Sequence, residues 1–241
     1  GNAKEAINYY ENGILTARET KDLGWEGSFL GNLGNAYAVL GDAHKALEFY
    51  EQALVIAREI GDRRGEGSHL SNLGNAYADL GDAHKSFEFY EQALDIAHKI
   101  GDRRGEGNRL GNLGGEYLNL GDAHKALEFY EQGLVIAHEI GNRRGEGGDL
   151  GRLGNAYAVL GDVHKALEFY EQALVIAREI GNRYGEGNNL GNLGGEYLNL
   201  GNAHKAIEFY EQALVIANEV GNRRGESFTF DNIALAYLIL G

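Results

Sequence analysis

The chain repeats itself every 40 residues. The stretch 31–50 holds one apolar-periodic segment, a Gly-Asp turn and the start of a second segment. It recurs almost unchanged to the end of the chain, with no insertion. Self-similarity at this period marks a stacked array, in which a unit buries its apolar face only against its neighbours. One turn is written Gly41-Asp42, Gly81-Asp82, Gly121-Asp122, Gly161-Asp162 and Gly201-Asn202. The other begins at Gly61 and at its copies Gly101, Gly141, Gly181 and Gly221. The chain has no proline, so glycine carries the turn signal.

Between turns the spacing is helical. Ala46, Phe49, Tyr50, Ala53, Leu54 and Ala57 form one apolar face, and Leu30, Leu33, Gly34, Tyr37 and Leu40 form another. Gly41 sits where a left-handed residue ends a helix. Asp42, and Asp62 after Gly61, are placed as N-caps. The spacing predicts twelve helices, at about 3–19, 25–39, 43–60, 65–79, 83–100, 105–119, 123–140, 145–159, 163–180, 185–199, 203–220 and 225–240. This divides the array into a half repeat 1–22, full repeats 23–62, 63–102, 103–142, 143–182 and 183–222, and a half repeat 223–241. Asn-Ala-Tyr-Ala at 75–78 and 155–158 alternates with Gly-Gly-Glu-Tyr at 114–117 and 194–197, the trace of a duplicated 80-residue pair.

Leu33-Gly34-Asn35-Ala36-Tyr37, followed by Gly41-Asp42, Ala46, Tyr50 and Ala53-Leu54, resembles the tetratricopeptide repeat (TPR) signature. The resemblance covers the whole chain at fixed phase. It implies an all-α, right-handed TPR α-solenoid of antiparallel helix pairs. Two departures stand out: the period is 40 rather than the commoner 34, and the family's helix-ending proline is replaced by Arg58, His98, His138, Arg178 and Asn218. Forty-residue repeats of this kind are similar to those of Partner of Inscuteable-like scaffolds and of bacterial TPR arrays. Gly34 and its copies are small where two helices approach, with Tyr37 and Tyr50 filling the adjoining space.

Composition narrows the function. The formal charge of −14 argues against a nucleic-acid partner, which needs a basic face. No segment approaches the ~18 apolar residues of a membrane span, and no secretory leader pattern is present. With no cysteine, thiolate chemistry and disulfides are excluded, and a cytoplasmic setting is expected. The absence of Met implies an excised segment of a longer chain, or a designed or consensus-derived one. No nucleophile-base set, phosphate loop or paired-carboxylate pocket stands out, so neither an enzyme nor a cofactor is expected. His44, His84, His124, His164 and His204 recur one repeat apart, too far to share a metal at ~2 Å bonds, and read as a surface row. The Arg63-Arg64 loops, flanked by Asp62 and Glu66, read as solvated. Trp25 reads as a packing plug near the first turn.

The resemblance implies that first helices of each pair line a concave groove. Carried over by repeat position, it shows Asn32, Asn72, Asn112, Arg152, Asn192 and Asn232, then Asn35, Asn75 and Asn155, then Asn119 and Asn199 beside Asp79. Each Asn brings one acceptor and two donors, suited to the backbone of an extended peptide. The competing reading is that these Asn residues bond within the array. Gly31, Ser71, Gly111, Gly151 and Gly191 stand where a carboxylate clamp would need Lys or Arg, which disfavours chaperone-tail partners. Arg152 is the groove cation, with Arg109 as a second candidate. The expected function is a non-catalytic protein-interaction scaffold that holds a peptide or a helix of an unidentified partner in this Asn-lined concave groove.

The alternative is a structural, self-associating solenoid. The first and last helices lack their pair partners, and the last is the more apolar. Phe228, Phe230, Leu235, Leu238 and Ile239 are candidates for docking on Tyr9, Tyr10 and Ile14 of a second copy, head to tail or swapped into a dimer. Truncation from a longer array remains the alternative account of the same exposed face.

Overall fold

The computed structural model describes residues 2–241, with side chains from Ala3 onward. Its elements are α1 (Asn2–Thr20), α2 (Leu23–Val39), α3 (Ala43–Glu59), α4 (Arg63–Asp79), α5 (Ala83–Lys99), α6 (Arg103–Asn119), α7 (Ala123–Glu139), α8 (Arg143–Val159), α9 (Val163–Glu179), α10 (Arg183–Asn199), α11 (Ala203–Glu219) and α12 (Arg223–Leu240). They fall into two compact units, one ending at Glu116 and the other starting at Tyr117. In the first unit α1 to α5 pack each against the next, and in the second α7 to α12 do the same.

The helix boundaries follow from the caps. Asp62 Oδ1 accepts from the Gly65 amide at 2.9 Å, which makes Arg63 the first helical residue, two positions before the spacing suggested. The same shift occurs at each first helix from α4 onward. Second helices start at 43 and its copies as expected, and Asp42 Oδ1 accepts from the Lys45 amide at 3.1 Å. They stop one residue early because Ile60 and its equivalents serve as C-caps. The turn glycines take positive φ, such as +77° at Gly41 and +71° at Gly61. Lys21 occupies the Gly61 position in the first copy and holds φ at 56°. The left-handed region costs an L-residue roughly 1–2 kcal/mol. Lys21→Gly is therefore expected to raise unfolding free energy by about 1 kcal/mol, read by chemical denaturation followed by circular dichroism.

The core runs along the array rather than gathering at a centre. In the first unit Ala46, Leu47, Tyr50, Leu54, Leu70, Leu73, Ala76, Ala93 and Ile96 form one buried cluster. In the second, Ala166, Leu167, Tyr170, Leu174, Leu190, Leu193, Ala213 and Ile216 repeat it. Each buried Leu contributes about 1.5–3 kcal/mol by leaving water. The Gly34 position explains itself here. A Cβ built on Gly34 would lie 2.6 Å from Tyr50 Cε1, and the copies at Gly74, Gly154 and Gly194 meet Tyr90, Tyr170 and Tyr210 as closely. Outside this contact, Tyr37 stacks on Phe49 at 5.4 Å while Lys45 Nζ sits 4.8 Å over the Tyr37 ring. That Lys–Tyr–Phe stack recurs in the next four copies.

The Arg63–Glu66 segment, expected as a solvated loop, is the first turn of α4 and more than solvated surface. Glu66 is only 5 % exposed, and its carboxylate takes Arg58 Nε at 2.9 Å and Arg63 through a second ion pair. Its copy Glu186 does the same with Arg178 and Arg183. Burial works against the Glu186 carboxylate, yet the two Arg donors hold it below the usual range. Arg58, which stands where the family's proline would be, thus pins one repeat to the next. His98 and His138 occupy the Arg58 position in their copies and approach Glu106 and Glu146 at 3.5 and 3.4 Å.

Candidate functional site

First helices carry the Asn residues singled out above, and the structure shows that many of them are engaged. Asn35 Oδ1 accepts the Tyr50 hydroxyl at 2.8 Å and Asn72 Nδ2, from the following repeat, at 3.3 Å. Asn75 joins Tyr90 at 2.7 Å and Asn112 at 3.5 Å. Asn155 joins Tyr170 at 2.8 Å and Asn192 at 3.2 Å. The reading in which these Asn residues bond within the array therefore describes Asn35, Asn75 and Asn155, whose side-chain carbonyls are consumed inside it. Burial, reinforced by nearby carboxylates, pushes the Tyr50 and Tyr90 phenols up to about 12, so they stay protonated and donate. That fixes the amide orientation and leaves the NH2 groups of Asn35, Asn75 and Asn155 turned away from the bond. In the first unit, Asn35, Asn72, Asn75 and Asp79 line a recess of about 250 Å³ over Tyr50.

Other groove candidates sit differently. Asn32 and Asn119 are exposed. Asn199 Nδ2 donates to Glu196, a buried carboxylate, at 3.3 Å, and Asn232 Nδ2 donates to the Phe228 carbonyl at 2.8 Å. Arg152 is held by Asp149 at 2.8 Å. Asp149 is itself buried, which raises its carboxyl above the usual range, while Arg152 pulls it back. Arg109 is buried rather than open in a groove, with its terminal nitrogens against the backbones of Gly67 and Gly105.

A larger space than that recess lies in the second unit. A cleft of about 700 Å³ runs between α8, α10 and α12, floored by α9 and α11. Arg152, Asn155 and Asn192 line it, joined by residues the sequence reading passed over: Arg144, Tyr184, Asn188 and Asn189. Phe228, a self-association candidate above, lines this cleft, with Thr229 beside it. Glycines at 147, 148, 151 and 191 keep the space clear, and Ala173, Ile176 and Ala213 make the floor apolar. A signal for this region was present. The position filled by Phe29, His69, Arg109, Asp149, Asn189 and Thr229 differs in every copy of an otherwise near-uniform array.

Two further expectations need correction. Ile14 is 6 % exposed and packs in its own unit with Leu30, Leu33, Ala53 and Ile56, and Tyr10 packs partly buried against the same cluster. The reason is that α2 already covers that face of α1. Tyr9 alone of the three is well exposed. Trp25 is no plug: it lies at the surface, stacked on Phe29 at 5.4 Å. On α12, by contrast, Phe230, Leu235, Leu238 and Ile239 are exposed as expected, Leu238 at 80 %.

Tandem antiparallel helix pairs with glycine-aromatic contacts define a stacked helical-repeat class. The chain belongs to the tetratricopeptide repeat family: the family model matches residues 25–97, 65–137 and 150–219. No curated protein matches it significantly. Solved structures place the fold as an all-α TPR solenoid. BtubC (BKLC) from P. vanneervenii superposes with a TM-score of 0.78 at 23% identity, covering 92% of this chain and 93% of that one. A Signal Transduction ATPase with Numerous Domains from Pyrococcus horikoshii, with a tetratricopeptide repeat sensor, gives 0.77 at 22% identity. It covers 96% of this chain, which spans only 36% of that protein. A Rap protein complexed with Competence and Sporulation Factor gives 0.73 at 16% identity, covering 98% and 70%. No described helix is long and apolar enough to cross a membrane.

Proposed function

We propose that the chain is a non-catalytic scaffold that holds an extended peptide segment of a partner protein along its first helices. The observation that carries this reading is the Tyr–Asn–Asn bonding. A protonated tyrosine fixes each middle Asn, which in turn holds the amide of Asn72, Asn112 or Asn192, so the donors of both rows are ordered before any ligand arrives, and preorganisation lowers the cost of binding. Backbone carbonyls of an extended peptide match such a row of donors without demanding particular side chains. A structural neighbour complexed with Competence and Sporulation Factor is consistent with this use of the fold. The test is a displayed random peptide library selected on the chain, then rebound to the Asn72→Ala, Asn112→Ala, Asn192→Ala triple variant. These three side chains are half-exposed, so helicity should persist while capture falls about tenfold or more, roughly 1.4 kcal/mol. Undiminished capture would refute the reading.

Self-association through the ends is favoured by the exposed apolar face of α12. One residue opposes docking in the array's own register. Ala234 stands where Gly34 and its copies receive a tyrosine ring, and α1 of a second copy would bring Tyr10 to that spot. A dimer through α12 therefore needs a different register.

A further inference from the structure

The cleft of the second unit is unusual in its charge. The chain carries 36 acidic residues, yet no Asp or Glu lines this cleft, while Arg144 and Arg152 do. The exclusion has a visible mechanism. The helix caps Asp22, Asp62 and Asp102 become Asn142, Asn182 and Asn222 in the second unit. Asn182 Oδ1 still accepts from the Gly185 amide at 3.1 Å, and Asn222 Oδ1 from Gly225 at 3.0 Å, so the caps survive without their charge. Asn182 and Asn222 both line the cleft.

The same change frees a cation. In the first unit Arg64 pairs with the cap Asp102 of the next repeat at 3.8 Å. Arg144 is the copy of Arg64, and the cap facing it is Asn182. Arg144 forms no ion pair with any described residue, and its charge is left to the cleft. Arg152 remains half engaged by Asp149. Asn189 is nine-tenths buried, lines the cleft and has no hydrogen-bond partner among the described side chains or backbone. Two aromatic side chains, Tyr184 and Phe228, stand 60 % and 61 % exposed on the cleft, where other copies carry Gly or Arg and Ser, Asn or Gly. The volume is in the range of sites that enclose small ligands, ~300–1,000 Å³.

We infer that this cleft selects an acidic peptide segment bearing an apolar side chain. This rests on the peptide-scaffold reading above and names the ligand chemistry. A carboxylate of the segment meets Arg144, its apolar side chain enters between Tyr184 and Phe228 onto the Ala and Ile floor, and its backbone meets Asn189 and Asn192. A nucleic acid is disfavoured as occupant, because the remaining surface of a chain at −14 repels an extended polyanion.

The test uses fluorescence polarisation with two labelled hexapeptides, Glu-Phe-Glu-Asp-Leu-Glu and its counterpart Lys-Phe-Lys-Lys-Leu-Lys. The acidic probe should bind at least about tenfold tighter, and added salt should narrow the gap. The Asn182→Asp, Asn222→Asp double variant restores the acidic caps and returns a partner to Arg144. It should leave the thermal melt in place, since Asp caps as well as Asn, while weakening the acidic probe about tenfold. Equal binding of both probes, unmoved by the double variant, overturns the inference and leaves the scaffold reading standing. No binding of either probe also overturns it, while the wider reading is judged separately by the random library. Displacement of the acidic probe by inorganic phosphate at matched concentration would reduce the site to an anion site and overturn the peptide assignment.

Discussion

Gly154→Val is expected to destabilise the chain by about 3 kcal/mol, near the top of what a single overpacked side chain costs. A Cβ at this position lies 2.5 Å from Tyr170 Cε1 and 3.1 Å from Cζ, before valine's two methyls are added. The ring cannot swing aside. Tyr170 is buried, and its hydroxyl is tied to Asn155. Gly154→Ala separates this account from helix propensity alone. Propensity gives alanine an advantage of about 1 kcal/mol over glycine in a helix interior. The contact predicts the opposite sign, a net loss of about 1 kcal/mol. Placing Gly154→Ala in a Tyr170→Leu background should recover much of the difference, because the colliding edge is gone. Urea denaturation of the two single variants and the double reads all three. A Gly154→Ala chain more stable than the parent would show that the helix pair has slack the geometry does not.

Truncation at equivalent positions should give unequal costs. Leu193 of α10 is fully buried against α9 and α11, and Leu193→Ala should cost about 3 kcal/mol through lost transfer energy and the cavity left behind. Ile233 is the same position in the last copy, where no following helix covers it, and it is only half-buried. Ile233→Ala should cost under about 1 kcal/mol. The comparison holds chemistry nearly constant and varies coverage. Similar losses at both sites would mean that α12 is buried in solution, and would point directly to an associated form.

The fold was legible because the repeat states the same instruction many times. Leu33, Gly34, Tyr37, Gly41, Asp42 and Tyr50 each have a single structural job, and each recurs at fixed phase. The groove was half legible. Asn35 and Asn72 stood out by type and spacing, but their mutual bond joins residues 37 apart across two repeats, which no local pattern encodes. The cleft was hidden for another reason: it is made by subtraction. Asn182 in place of an Asp, and Gly148 in place of Ser68 or Asn108, look like noise in a duplicated sequence. Their meaning appears only when packing shows that Arg144 has lost a partner and a space has opened. Ile14 failed in the opposite direction. Its type suggested a sticky end, and only packing shows that α2 has covered it.

Near-identical neighbours carry a hazard of their own, since a segment can settle on the wrong copy of its partner. Two positions make such an error costly. Gly13 faces Phe29, whose Cε2 would lie 2.9 Å from any Cβ placed there, and Gly133 faces Asp149 Oδ2 at 2.9 Å. The other copies of these glycines are alanines, Ala53, Ala93, Ala173 and Ala213. Phe29 and Asp149 thus fit only against the two glycine-bearing helices, α1 and α7, and clash with the four that carry alanine. They work like the notched teeth of a key, giving an almost periodic chain a fixed place to begin counting.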